Sequence, residues 1–380
     1  MRRTRHIYSI LLIILFCLML LFVFANDVFR FYTPPPSFAD ENRTISKKPV
    51  FDLNLLDPYP KAYTAYYNDI FPLRSDLKYL NTIYQYYVFH ESSDPGEVLI
   101  GRHGWFFYCQ KEKQIYEGTY ILSDKDIRGI VDELGWRDHL LKELGIKFYV
   151  AIAPMKSEIY PENVPAGFYR STSGTSTDKL IAAIKKDGRI NFIDLKEPLI
   201  GAKKSGRLYQ VTDNHWNSKG AFVAYSEIMK RIGKDFPAIR PVDRSDIEFR
   251  PFTRNGGNLA NMLGLSSLVK ESDFKPVIRG AKAKPAPSEG FEPPPGSPIV
   301  DEYEFDRQVE DPSLPVGLVI RDSFGFPLMP FLDENFRKSV YIFDSWRYGF
   351  HKEIIEKLKP DLVLVVIYEP HLLNVIDPYR

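Results

Sequence analysis

Residues 316–325 read VGLVIRDSFG. The apolar run VGLVI does not alternate with polar residues, as expected of a strand buried on both faces of a parallel sheet. The polar cluster RDSFG follows at its carboxyl end, where open parallel sheets hold their ligands. Ser323 therefore stands at a strand-to-helix turn, flanked by Asp322 and Gly325. Such a turn exposes a serine hydroxyl and aims the following backbone N–H groups at a developing oxyanion.

The same strand-then-helix punctuation recurs on both sides of this stretch. A helix is expected over 124–144, stopped by Gly145, followed by the strand KFYVAIAP. STDKLIAAIKKDG reads as a helix ending in glycine, and INFIDL as a strand. Residues 218–232 form an amphipathic helix with Ala221, Phe222, Tyr225, Ile228, Met229 and Ile232 on its buried face. SVYIFD, HKEIIEKL and PDLVLVVIY continue as strand, helix and strand. Strands alternating with helices predict an α/β fold with a mostly parallel sheet covered on both faces. Before this core, 68–89 has helical spacing after Pro72 and reads as a helix, and 97–108 reads as a hairpin turning at RHG. Residues 282–300, rich in Pro, Gly and Ser, read as an exposed surface loop, and no internal repeat is present.

The first 26 residues carry a topological signal. Arg2, Arg3 and Arg5 precede an uncharged run from Ile7 to Ala25. A helix of that length approaches the ~30 Å hydrocarbon thickness of a bilayer. The arginines favour a cytoplasmic N-terminus. The reading is a single-pass signal anchor over 1–26, with the rest of the chain outside the cytoplasmic membrane. A signal peptide cleaved after Val23-Phe24-Ala25 is the alternative. Residues 27–67 read as a stalk, and 68–380 as the functional domain.

The 380 residues are 44% hydrophobic with a net charge of +1, enough for a large core and without the basic stripe of a nucleic-acid binder. Cys17 lies in the apolar run, leaving Cys109 alone, so neither a disulfide nor a cysteine-based zinc site is expected.

The second polar cluster is DNHW, residues 213–216, after the apolar LYQV. Serine is a weak nucleophile and needs a base within hydrogen-bond reach. Histidine serves, with a carboxylate on its other nitrogen to fix the tautomer and stabilise the imidazolium. Asp213 and His215 share one side of an extended segment, because residues two apart share a face. The candidate catalytic set is Ser323, His215 and Asp213. The competing readings are a cap for the following helix, which Asn217 or Ser218 already fits, and a metal site, which lacks a third ligand. No metal is expected.

Here the chain resembles the alginate O-acetyltransferase AlgJ/AlgX group and the related DHHW proteins of the SGNH hydrolase-like superfamily. The resemblance runs over most of 68–375. It rests on FPLR (71–74), IGRHGWFFY (100–108), APMKSEIYPENVP (153–165), DNHWNSKGA (213–221), GGNLANMLGL (256–265), RDSFG (321–325) and KPDLVLVVIYE (359–369). It implies an SGNH-like three-layer sandwich in which Asp213 and His215 pair with the later Ser323. That order is permuted relative to ordinary SGNH esterases, which place serine first. It also implies acetylation of an extracellular polysaccharide. The acetyl group would come across the membrane from a multi-pass O-acyltransferase partner of the MBOAT type, with no cofactor. Asn214 stands where relatives often carry Thr or His, Asn258 where Asp is expected, and Arg321 where a smaller residue is usual. No carbohydrate-binding module is expected after the core, an arrangement more like AlgJ than AlgX.

Five further residues are candidate substrate contacts, each with a plainer reading beside it. Lys156 and Tyr160 follow a strand end and suit an anionic or hydroxylated acceptor, or else are a solvated lysine and a packed tyrosine. Trp216 is a wall beside His215 or a sugar platform. Arg347 in DSWRYG is an oxyanion or substrate contact, or else a surface arginine. Asn258 is a substrate contact, or else, standing where Asp is expected, a residue without a polar role. The oxyanion donors expected are the Ser323 N–H and a neighbour from 256–258. The expected reaction is O-acetyl transfer to a cell-envelope or secreted polysaccharide. The alternatives are an esterase using the same residues and a non-catalytic polysaccharide-binding subunit.

Overall fold

The computed structural model describes residues 2–29, 31, 46–51, 57–70, 74–295, 297 and 299–375. Two compact units divide the chain, Met1–Ser93 and Asp94–Arg380. In the first, α1 spans Arg2–Phe29, α2 Pro58–Ile70 and α3 Arg74–Tyr84, with α3 running on into a wider turn at Gln85–Phe89. α3 is the helix read after Pro72, while α2 lies mostly in the stretch read as stalk. Most of FPLR, and 32–45 of the stalk, fall outside the described residues. Along α1 the large side chains from Ile10 to Phe16 are exposed. Among the described residues no helix is long and apolar enough to cross a membrane.

The second unit opens with a hairpin, β1 (Val98–Ile100) and β2 (Phe106–Tyr108), turning where RHG was expected to turn. Then come α4 (Gln110–Tyr116), α5 (Asp124–Glu143), β3 (Lys147–Ala153), α6 (Lys156–Ile159), α7 (Ser176–Asp187), β4 (Asn191–Asp194), α8 (Lys196–Ala202) and α9 (Ser218–Ile232). A second antiparallel pair follows, β5 (Ile247–Asn255) and β6 (Lys270–Ile278), enclosing α10 (Asn258–Met262). The chain closes with β7 (Lys284–Pro285), β8 (Glu304–Gln308), β9 (Val316–Arg321), α11 (Met329–Leu332), β10 (Lys338–Phe343), α12 (Lys352–Leu358) and β11 (Leu362–Tyr368).

The central sheet has the order β4-β3-β11-β9-β10-β8-β7. Its first five strands run parallel, and β8 and β7 pair antiparallel at one edge, so the sheet is mixed. Every residue of β9 and β11 is buried, which is why those strands carry no polar alternation. Successive side chains feed opposite faces. Tyr149, Ala151, Val319, Leu364 and Val366 pack on the side of α9, and Phe148, Val150, Leu318, Val363 and Val365 on the side of α5 and α7. The result is a three-layer α/β sandwich.

Capping boxes start both helices of the second face. Ser123 and Thr175 accept from the N–H groups of Asp126 and Asp178, whose carboxylates return the bond. The loop 282–300 is less free than its composition implies. The Glu304 carboxylate takes the N–H groups of Glu289, Gly290 and Phe291, and Lys284–Pro285 adds a short edge strand. Proline belongs at such an edge, where no partner asks for its missing donor.

Candidate functional site

The site forms where β9 ends. Asp322 caps the short helix Ser323–Leu328, its Oδ1 accepting from Phe324 N at 2.8 Å. Its Oδ2 accepts from the Tyr348 hydroxyl and from Tyr368 N, both at 2.6 Å. Asp322 is fully buried, so these bonds fix the turn and carry Ser323 out half-exposed at the sheet's carboxyl edge. Gly325 is required by packing. A Cβ there would sit 2.4 Å from Arg321 Cδ, whose guanidinium lies over the Phe326 ring at 3.7 Å.

The segment carrying Asp213 and His215 was expected to be extended and is not. Gln210 N bonds to His215 O at 3.0 Å and Asn217 N to Leu208 O at 2.8 Å, folding LYQVTDNHW into a tight loop closed by a Tyr209–Trp216 bridge. Asp213 and His215 therefore meet through a local turn, not through a strand face. His215 N reaches Asp213 Oδ1 at 3.2 Å, and His215 Nδ1 reaches the same oxygen at 2.6 Å. Asp213 Oδ2 accepts from Asn258 N at 2.8 Å. On the other side of the ring, His215 Nε2 lies 2.7 Å from Ser323 Oγ. The structure thus joins Asp213, His215 and Ser323 in one hydrogen-bonded chain, from buried carboxylate to half-exposed hydroxyl. Burial opposes ionisation of Asp213. The His215 hydrogen bond and charge and the two N–H donors outweigh it and hold the carboxyl well below the usual carboxylate range.

Such an arrangement is suited to drawing a proton from the hydroxyl onto an oriented imidazole. Asn217, not Asp213 or His215, caps α9, its Oδ1 accepting from Lys219 N and Gly220 N. Of the oxyanion donors expected, the Ser323 N–H has no partner among the described residues. The neighbours at 256–258 are committed elsewhere: Gly256 N to Ser266 O and Val269 O, Gly257 N to Thr212 Oγ1, and Asn258 N to Asp213. Among the described residues no group of His, Cys, Asp or Glu is placed to hold a metal.

Three of the expected substrate contacts are interior. Lys156 is 1% exposed, and its Nζ donates to the carbonyls of Gln210, Val211 and Asp213 at 2.8–2.9 Å. Its three donors are used on the site loop, leaving none for a ligand. The Tyr160 hydroxyl accepts from Leu208 N at 2.9 Å, also inside. Trp216 is fully buried. Its Nε1 donates to Phe324 O at 3.0 Å and its ring meets Phe324 edge-on, tying the His215 loop to the serine turn. Asn258 and Arg347 are exposed.

Two other residues that hold the loop were not singled out in the sequence. Glu271 on β6 accepts from Val211 N, Thr212 N and Thr212 Oγ1, and Tyr368 stacks on Phe324 at 4.4 Å. Asp322 was legible only as the neighbour of Ser323.

Trp216→Phe removes the indole donor and strands the Phe324 carbonyl. Unfolding in urea should show a loss of about 1–3 kcal/mol. Unchanged stability would mean that the two loops are not joined through this bond.

Comparison with known proteins follows the same lines. Residues 98–290 match the SGNH hydrolase-like domain of the acetyltransferase AlgX. A probable alginate O-acetylase AlgJ of Pseudomonas aeruginosa is 29% identical over 218 residues, 55% of this chain and 51% of that protein. The chain spans about half the length of the curated relatives it matches. In structure it resembles the O-acetyltransferase domain of Pseudomonas putida AlgJ, with a TM-score of 0.51 at 17% identity over 74% of this chain and 94% of that one. It is also similar to Bacillus cereus PatB1, with a TM-score of 0.52 at 17% identity over 74% and 99%.

Proposed function

The chain belongs to the SGNH hydrolase-like family of the acetyltransferase AlgX, and from that premise we propose that it transfers an acetyl group to hydroxyls of a cell-envelope or secreted polysaccharide. The observation that carries the reading is the unbroken chain from the buried Asp213, through its Oδ1 and His215, to Ser323 Oγ, with His215 and Ser323 partly open to solvent.

In this reaction Ser323 Oγ attacks the carbonyl carbon of an acyl donor while His215 Nε2 takes its proton. The charge that develops on the carbonyl oxygen is met by the Ser323 N–H. The donor's leaving group departs with the proton from His215, leaving an acetyl ester on Ser323. The acceptor hydroxyl then loses its proton to His215, attacks the ester carbon and carries the acetyl away. Ser323 recovers its proton. Asp213 holds the imidazole in one tautomer and stabilises it when charged. Curated relatives are named as alginate O-acetylases, which supports a polysaccharide acceptor.

The uncharged run from Ile7 to Ala25, behind three arginines, supports a single-pass anchor in the bacterial cytoplasmic membrane. That anchor would keep the catalytic unit extracytoplasmic, beside a multi-pass acyltransferase of the MBOAT type that supplies the acetyl group.

The test follows consumption of an activated acetyl ester by the full chain in detergent, with and without oligosaccharide. Turnover that rises with acceptor and leaves acetylated sugar is the expected result. Acetate release indifferent to acceptor would replace transfer by ester hydrolysis. Turnover independent of Ser323 would remove the serine mechanism.

A further inference from the structure

Residues 344–351, DSWRYGFH, leave β10 at the same sheet edge and are held in an unusual shape. Tyr348 and His351 both have positive φ, 45° and 48°. A bulky residue there is strained and persists only where its surroundings impose it. The surroundings are specific. The buried Asp344 accepts from Arg347 N at 3.0 Å, Gly349 N at 2.8 Å and His351 Nε2 at 2.9 Å, closing the loop on itself. Asp344 N bonds to Arg321 O at 2.9 Å, and the Tyr348 hydroxyl bonds to Asp322 Oδ2 at 2.6 Å. The loop is therefore tied to both residues that precede Ser323.

At its apex stands Trp346. Of the four tryptophans in the chain it is the most open, 42% exposed. An aromatic run supports it from behind: Trp346 lies 5.6 Å from Phe343, and Phe343 lies 6.1 Å from Phe326, three residues past Ser323 in the same short helix. A lone exposed apolar side chain requires no explanation. An indole raised on a strained loop, braced against the serine turn on two sides, does.

We propose that Trp346 is the stacking platform for a pyranose ring of the glycan acceptor, setting which ring presents its hydroxyl to Ser323. This rests on the acyl-transfer reading of the site. A flat, amphipathic ring suits a sugar, whose C–H face stacks while its hydroxyls remain in water.

The test separates binding from chemistry. The full chain carrying Ser323→Ala is titrated in detergent with alginate hexasaccharide and with cellohexaose, by calorimetry and tryptophan emission. At least one glycan should bind with a saturable emission change. Adding Trp346→Ala should weaken its Kd about tenfold, with Trp346→Phe between the two. An unchanged Kd in the Trp346→Ala protein, or no binding of either glycan, overturns the proposal. Failure of the transfer reading shows elsewhere, as acetylation by the intact protein that does not depend on Ser323.

Discussion

Replacing Ser323 with alanine should lower kcat for acetyl transfer by about ten-thousandfold or more, with little change in folding. The size follows from what is removed. Without Oγ the proposed acyl-enzyme cannot form, and the remaining groups can only orient donor and acceptor for direct transfer. The fold should tolerate the change because Ser323 contributes one hydrogen bond at a half-exposed position, worth about 1 kcal/mol. The turn itself is held by Asp322, whose bonds to Phe324 N, Tyr348 and Tyr368 N do not involve the serine hydroxyl. Asp213 and His215 also keep their own contact. Turnover and unfolding measured on one preparation check both halves. A drop of tenfold or less would mean that the hydroxyl does not carry the acyl group.

Some of this could be read in advance and some could not, for physical reasons. The parallel strands were legible because burial on both faces removes polar alternation, as in VGLVI and LVLVV. The β5–β6 pair was not. Pro251 faces Phe274 and Pro276 faces Phe249, and prolines inside a run argue against a strand even where, as here, the pair forms its own two-stranded sheet. Asp213, His215 and Ser323 could be grouped in the sequence because serine-based acyl transfer would need those three side-chain types together, and the structure brings them into one hydrogen-bonded chain. Lys156 was misread for a related reason. A lysine at a strand end looks the same in sequence whether it meets a ligand or a carbonyl. What decides is a loop 54 to 57 positions away, which returns to present its carbonyls. The local route by which Asp213 reaches His215 was likewise hidden, because a turn and a strand both bring residues two apart onto one side.

That loop makes Lys156→Met a substitution with a large expected cost in stability. Methionine keeps the length and apolar stem of the side chain but strands the Gln210 and Asp213 carbonyls, while Val211 O keeps its bond from Phe106 N at 2.8 Å. The neutral amine present at alkaline pH has two N–H donors, so at about 1 kcal/mol for each the loss there should be about 2 kcal/mol. The cost should also depend on pH, and the sign is fixed by burial. Burial pushes the Lys156 ammonium down to about 7, against the attraction of Asp213, Glu271 and Glu112. An unfolded lysine titrates near about 10.4. The folded state therefore carries its full penalty for the charged form below pH 7, and sheds it as pH rises from 7 towards the unfolded value. Methionine never carries that penalty, so the difference between the two proteins should widen from pH 6 to pH 9 in urea unfolding. A gap that narrows over that range would mean the ammonium is stabilised, not penalised, by its three carbonyls. Lys156 would then be a fixed cation beneath Asp213, and acetyl transfer by the methionine variant should fall through a misplaced His215 even where the protein is fully folded.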